Sequence, residues 1–211
     1  MTEHELSVYA QARQIGQEAR VKGLLELAKR LLKEEGPVAL TVRRIAAEAG
    51  CSTKVIYTTF GGKDGLAEAL YLEGFEQFRK KMLQVPASSN PMARLKALSA
   101  AYRKIALADP DYYRVMFESA IPGFKPSPET LEKARVNFRF LIQAVADCSP
   151  VNGNADHTAE TLWAAQHGVI SLELAGYLDE KTAIQRYESL MEALLKSFFA
   201  NPEPEGTKGA G

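Results

Sequence analysis

Between Thr41 and Gly62 the chain is interrupted too often to form anything but two short helices packed on each other. Thr41 stands where an N-cap belongs, Val42, Ile45, Ala46 and Ala49 make an apolar stripe at helical spacing, and Gly50 ends the run after barely two turns. Ser52 offers a second N-cap, Val55, Ile56 and Phe60 a second stripe, and Gly61-Gly62 a second stop. Helices this short do not persist alone in water, so each must bury its stripe against a neighbour. Short helix, tight turn with a glycine, short helix is the helix-turn-helix unit. Ala46 and Ala49 are small enough for a close, steep crossing, and Gly50 suits the left-handed position that ends a helix. Cys51 and Ile56 supply the apolar contacts that lock the second helix on the first.

The remaining segments are helical by the same criterion. Val21, Leu24, Leu25, Ala28, Leu31 and Leu32 predict an amphipathic helix over 17–35, closed by Gly36-Pro37. Further helices are expected over 64–83, 92–108, 111–117 (with Asp111 as a cap), 129–147, 156–178 and 182–199, separated by loops at 86–91 and 149–156 and a proline- and glycine-rich connection at 121–128. Period-two alternation is missing and there is no internal repeat. The fold class is therefore all-α: an N-terminal three-helix domain with the helix-turn-helix, followed by a larger helical bundle. The expected division is an N-terminal arm and helix-turn-helix domain over 1–66, a larger helical domain over 67–200, and a disordered tail over 201–211.

Composition narrows the function classes. With 46% hydrophobic and 25% charged residues there is material for a core but no uncharged stretch near the roughly 20 residues that cross a bilayer. The polar N-terminus lacks the apolar run of a secretory signal, so a cytoplasmic location and no membrane partner are expected. Basic and acidic residues balance at 26 each, yet from Arg20 to Gly65 nine basic residues stand against five acidic. A basic patch at one end suits nucleic acid, and suits a solvated helical surface equally well. Cys51 and Cys148 form no disulfide framework or metal pair; Cys51 belongs to the apolar face and Cys148 to an exposed edge near a loop. His157 and His167 are about 280° apart around a helix, so with His4 they make no metal set. There is no Ser/His/Asp set and no paired-glycine phosphate loop. Neither a cofactor, nor a metal, nor an enzymatic activity is expected.

The segment 20–70 resembles the TetR/AcrR family of bacterial regulators. The resemblance rests on Thr41, Ile45-Ala46, Ala49-Gly50, Ser52, Ile56-Tyr57, Phe60, Lys63 and Leu66, with Leu24-Leu25, Ala28, Leu31-Leu32 and Gly36 matching the family's first helix. The chain departs from it at Cys51, where an aliphatic residue is usual, and at Thr59, where a histidine is usual. A second resemblance covers 111–120 and 162–177, which look like the WHG type of TetR regulatory domain through Trp163, His167 and Gly168.

The first turns of a recognition helix meet base edges. Thr53 and Lys54 can hydrogen-bond bases, Lys54 most readily guanine, and Val55 can touch a thymine methyl; Tyr57 and Thr58 complete the side chains that the core does not need. The resemblance implies that Tyr57 faces DNA, that Arg43 reaches the groove, and that Thr41 and Lys63 meet phosphates; Thr59 stands where a phosphate contact would be altered. Arg44 serves either DNA or a salt bridge within the protein, and Tyr57 has interhelical packing as its alternative. Lys63 precedes a helix whose free amides would share the phosphate.

The resemblance also implies a small-molecule effector, a homodimer and a palindromic double-stranded operator, hence a repressor released from DNA by its ligand. Tyr102, Tyr112, Tyr113, Met116, Phe117, Phe138 and Phe140 are bulky enough to line an effector cavity, with Trp163 and His167 as a wall. Aromatics at helical spacing also make ordinary core, and Trp163 and His167, four residues apart, can simply pack. The last two helices carry apolar faces at Ile184, Tyr187, Leu190, Met191, Leu194, Leu195 and Phe198 and at Leu162, Val169, Ile170 and Leu174, one face of each serving the monomer core and the remainder the pairing, unless both helices are wholly internal to a monomer. Ala159, Ala165, Gly168 and Ala175 permit close approach in a four-helix seam. The competing reading is an all-α carrier or enzyme whose helix-turn-helix is only structural.

Overall fold

The computed structural model describes residues 7–199, and all regular structure among them is helical. The helices are α1 Val8–Glu35, α2 Val42–Glu48, α3 Thr53–Phe60, α4 Lys63–Leu83, α5 Pro91–Ala108, α6 Pro110–Phe117, α7 Pro128–Val136, α8 Arg139–Asp147, α9 Ala155–Leu174 and α10 Glu180–Phe199, with a single 3-10 turn at Pro37–Ala39. The tail expected over 201–211 and His4 lie outside the described residues. No helix among the described residues is long and apolar enough to cross a membrane, and no three His, Cys, Asp or Glu side chains there are grouped to hold a metal ion.

Several boundaries differ from the sequence reading for local reasons. Helix α1 begins at Val8 rather than near residue 17, because Ser7 caps it by accepting the Ala10 N–H at 3.3 Å. Its buried residues start only at Leu24, so the first four turns carry no apolar signal to reveal them. The helix expected over 129–147 is two helices, because the amides of Asn137 and Phe138 bond three residues back, to the carbonyls of Ala134 and Arg135. Helix α6 starts on Pro110, a residue pre-set for the first helical position, which leaves Asp111 in the first turn instead of capping it. Helix α9 ends at Leu174, where Gly176 is left-handed at φ 78° and the Tyr177 N–H bonds to the Leu172 carbonyl.

The chain forms two compact units. The first comprises residues up to Phe75 together with Asp111–Lys133; the second comprises Glu76–Pro110 and residues from Ala134 onward. In the first, Leu31, Ile45, Ile56, Leu66, Leu70, Tyr113 and Ile121 are almost wholly buried. Gly74 lets α4 approach α6 closely, since a Cβ there would stand 2.9 Å from Met116 Cγ. In the second, Leu95, Val145, Leu162 and Ile170 form the core around one polar cluster. The Tyr187 hydroxyl lies 2.6 Å from Gln166 Oε1 and 2.7 Å from the Ser99 carbonyl oxygen, and burial pushes the phenol well above its ordinary pKa. Arg103 and Glu173 add a largely buried ion pair from α5 to α9.

Candidate nucleic-acid interface

The helix-turn-helix is assembled by caps and small residues. Thr41 Oγ1 accepts the Arg44 N–H at 3.1 Å and so satisfies one of the open amides of α2, a contact of about 1 kcal/mol. The turn follows from Gly50 at φ 62° and from the Cys51 N–H, which bonds to the Ala46 carbonyl at 2.9 Å. Ser52 occupies the N-cap position of α3 without a side-chain cap bond. Ile56, fully buried, is the residue by which α3 is anchored among the buried side chains, with Ile45 and Ala46 of α2 equally buried. Cys51 is half-buried rather than part of the core, and so is Cys148, whose thiol pKa burial raises further.

What the anchor leaves outside is the candidate reading surface. Thr53, Lys54, Tyr57 and Thr58 are exposed and Val55 is half-buried. Tyr57 is 57% exposed, so it does not pack between helices. Its ring instead lies over Gly62, where a Cβ would come within 3.2 Å of Tyr57 Cε1. The Thr58 hydroxyl donates to the Val55 carbonyl at 3.0 Å, and the Thr59 hydroxyl is buried without a hydrogen-bond partner. Thr59 therefore turns its polar atom inward. On α2, Arg43 is exposed, whereas Arg44 is held by the protein itself. Its guanidinium meets Glu35 at 2.6 Å and Glu48 at 2.8 Å, and Arg30 joins Glu48 at 2.7 Å. The hydrogen bond from Arg44 holds the Glu35 carboxyl below its usual range.

Lys63 is the first residue of α4, not the residue before it, and its Nζ donates to the Pro122 carbonyl at 2.9 Å. An ammonium has three donors, so two remain for a phosphate. The partner sits 59 residues away in the connection after α6, beyond the reach of any local pattern. The same connection is fastened by Glu68, whose Oε1 accepts the Thr130 hydroxyl at 2.8 Å and the Ser127 N–H at 3.4 Å.

The residues expected to line one effector cavity fall into the two units. Tyr112, Tyr113 and Met116 are buried and Phe117 is half-buried in the first, where Tyr113, Phe117, Phe75 and Tyr71 run ring to ring at 4.8–5.3 Å and Lys29 Nζ lies 4.9 Å over Tyr112. Tyr102, Phe138, Trp163 and His167 belong to the second. There Trp163 Nε1 donates to the Tyr102 hydroxyl at 3.0 Å, and Trp163 stacks on His167 and meets Phe138 edge-on. A feature absent from the sequence reading is an open groove of about 680 Å³ between α5 and α10, with Ser99, Arg103 and Tyr187 among its lining and none of the expected effector residues. Its α10 wall was legible only as part of a broad apolar face.

Comparison with known proteins agrees with this arrangement. Residues 24–70 match the model of bacterial regulatory proteins of the tetR family. Residues 95–198 match that of the tetracyclin repressor-like C-terminal domain, consistent with the WHG-type resemblance. An uncharacterized HTH-type transcriptional regulator of Mycobacterium tuberculosis is 22% identical over 159 residues, 75% of this chain and 72% of that protein. Among solved structures, the candidate regulatory protein SCO4313 superposes with a TM-score of 0.73 at 24% identity, covering 86% of this chain and 98% of its own. A TetR variant from Acinetobacter baumannii AYE in complex with minocycline gives 0.57 at 18% identity, covering 81% and 92%. These structural likenesses are likenesses of fold, whereas the two family matches together span well over half of the sequence. The chain belongs to the TetR family of bacterial transcriptional regulators, with a helix-turn-helix DNA-binding module and an all-α C-terminal bundle.

Proposed function

We propose that the protein is a dimeric repressor that holds an operator through α3 and leaves it when a small molecule binds the second unit. The observation that carries the DNA half of this reading is the exposed row Thr53, Lys54, Tyr57 and Thr58 on a helix buried only through Ile56. A side-chain row that the core does not use, on a helix pinned in place, has the form of a base-reading surface. Arg43 and the two open donors of Lys63 flank it as phosphate contacts. Arg44 acts through its carboxylate partners, keeping α2 fixed on α1.

Pairing is supported by α9 and α10. Ala164, Gly168, Leu172 and Ala175 recur along an exposed side of α9, and Leu190, Leu194 and Phe198 of α10 are only half-buried. Small residues beside partly open apolar ones suit a four-helix seam across a two-fold axis. The effector reading is supported by Phe138, Trp163 and His167, which stay half-buried in a cluster of stacked rings, and by the minocycline-bound relative of the same fold. The protein acts by binding rather than catalysis.

Trp163 is the sole tryptophan of the chain, so its emission reports on that cluster alone. Screening small apolar compounds against the protein bound to a duplex from upstream of its own gene should yield one that changes Trp163 emission and releases the duplex over the same concentration range. Release by compounds that leave the emission untouched would remove the Trp163 cluster from the effector site.

A further inference from the structure

In the first four turns of α1, residues 8–23, no residue is buried and only Ala10 and Val21 are half-buried. Val8, Tyr9 and Ile15 are 83%, 79% and 66% exposed, and the buried residues of the helix begin at Leu24. At 1.5 Å per residue this is a helical arm of about 24 Å standing clear of the module. Two ion pairs fix where it goes. Glu35 meets Arg44 near the start of α2, and Arg30 meets Glu48 at its end, so α1 runs antiparallel to α2. Followed back towards its N-terminus, α1 therefore passes the end of α2 and continues beyond it.

The face of the arm is not arbitrary. Arg13, Gln17, Arg20, Leu24, Ala28 and Leu31 follow one another at steps of three and four, with Tyr9 four residues before Arg13. One helix face thus changes character along its length. Where there is protein to pack against it is Leu24, Ala28 and Leu31, all buried; where the protein ends it is Arg20, Gln17, Arg13 and Tyr9, all exposed. Within the arm Arg13, Arg20 and Lys22 stand against the single acid Glu18. A second copy of this arm would meet it with like charge, whereas a nucleic-acid backbone is complementary. Gly16, on the same face, has nothing within 4 Å of where a Cβ would stand.

We propose that the N-terminal arm of α1 is a second DNA-contacting element, in which Arg13 and Arg20 grip phosphates of the duplex flanking the half-site read by α3. The arm spans the length of about seven base pairs, and guanidinium groups are suited to phosphate oxygens. This deepens the DNA-binding reading and rests on it. Phosphate contacts position without reading sequence, so the arm adds affinity and salt dependence to every duplex long enough to reach it.

The test is fluorescence anisotropy of the full chain with a random-sequence duplex of about 40 base pairs over a range of salt concentrations. Replacing both residues, Arg13→Ala with Arg20→Ala, should weaken binding several-fold at low salt and reduce the slope of log affinity against log salt by about two. The paired Arg13→Lys and Arg20→Lys variant should keep the parental slope, which separates phosphate charge from loss of helix. A parental slope in the alanine variant would overturn the proposal while leaving α3 as the DNA reader. Reduced self-association in that variant with an unchanged slope would assign the arm to a partner chain and overturn it as well. No binding by the parent chain to any duplex would end both readings.

Discussion

Among the glycines described, Gly65 has the least room for a side chain. A Cβ at that position would stand 1.7 Å from the Phe60 carbonyl oxygen, a backbone atom that cannot swing aside. Gly65→Ala is therefore expected to cost about 3 kcal/mol through forced movement of the α3–α4 corner, read as a lower urea midpoint. Gly23→Ala, in open space within α1, should instead stabilise by up to about 1 kcal/mol through helix propensity. Equal effects of the two would show that the corner yields more easily than its geometry requires. Sequence alone marks both positions only as glycines in helices. It reached Thr41, whose cap is a local i to i+3 contact, and Tyr57, whose exposure follows from spacing around Ile56. Lys63 was legible as a cation at a helix start, but its tie to Pro122 depends on a contact 59 residues away. The inward hydroxyl of Thr59 is likewise a matter of rotamer and neighbours, which periodicity does not encode.

At the scale of elements, what was readable is what buries an apolar stripe. Helices α2 and α3, with their caps and glycine stops, stand where the pattern put them, while the arm of α1 escaped because a helix that packs on nothing leaves no stripe. The effector candidates show the opposite failure. Aromatics at helical spacing look alike whether they fill a core or edge a cavity, and the structure divides them between two clusters in two units. The junction of α4 with the start of α7 yields a pH-dependent prediction. The Thr130 hydroxyl foremost, then Ser127, holds the Glu68 carboxyl below its ordinary range. Its pKa is thus lower folded than unfolded, where it is about 4.3. The contribution to stability is complete above the unfolded value and disappears as pH falls through the folded one. Between about pH 7 and about pH 3 the parent should lose more stability than Glu68→Gln, measured by urea unfolding at each pH. Parallel losses would show that this junction does not respond to protonation.

For the whole molecule, membership of the TetR family and an exposed recognition row make one demand that neither unit meets alone. A single α3 covers only a few base pairs, so selection of one site needs two copies held at a fixed separation. In the proposed reading the exposed and half-buried stripes of α9 and α10 are the surface for that pairing, and the arm of α1 would extend the footprint outward. The most direct measurement is a combined footprint and sedimentation experiment on the DNA upstream of the gene. Two chains per duplex are predicted, protecting two half-sites about 34 Å or a multiple apart. Thr53→Ala and Lys54→Ala should each cost about 1–3 kcal/mol on that site and markedly less on random DNA. Full affinity from a single chain, or equal weakening on both kinds of DNA, would contradict the account.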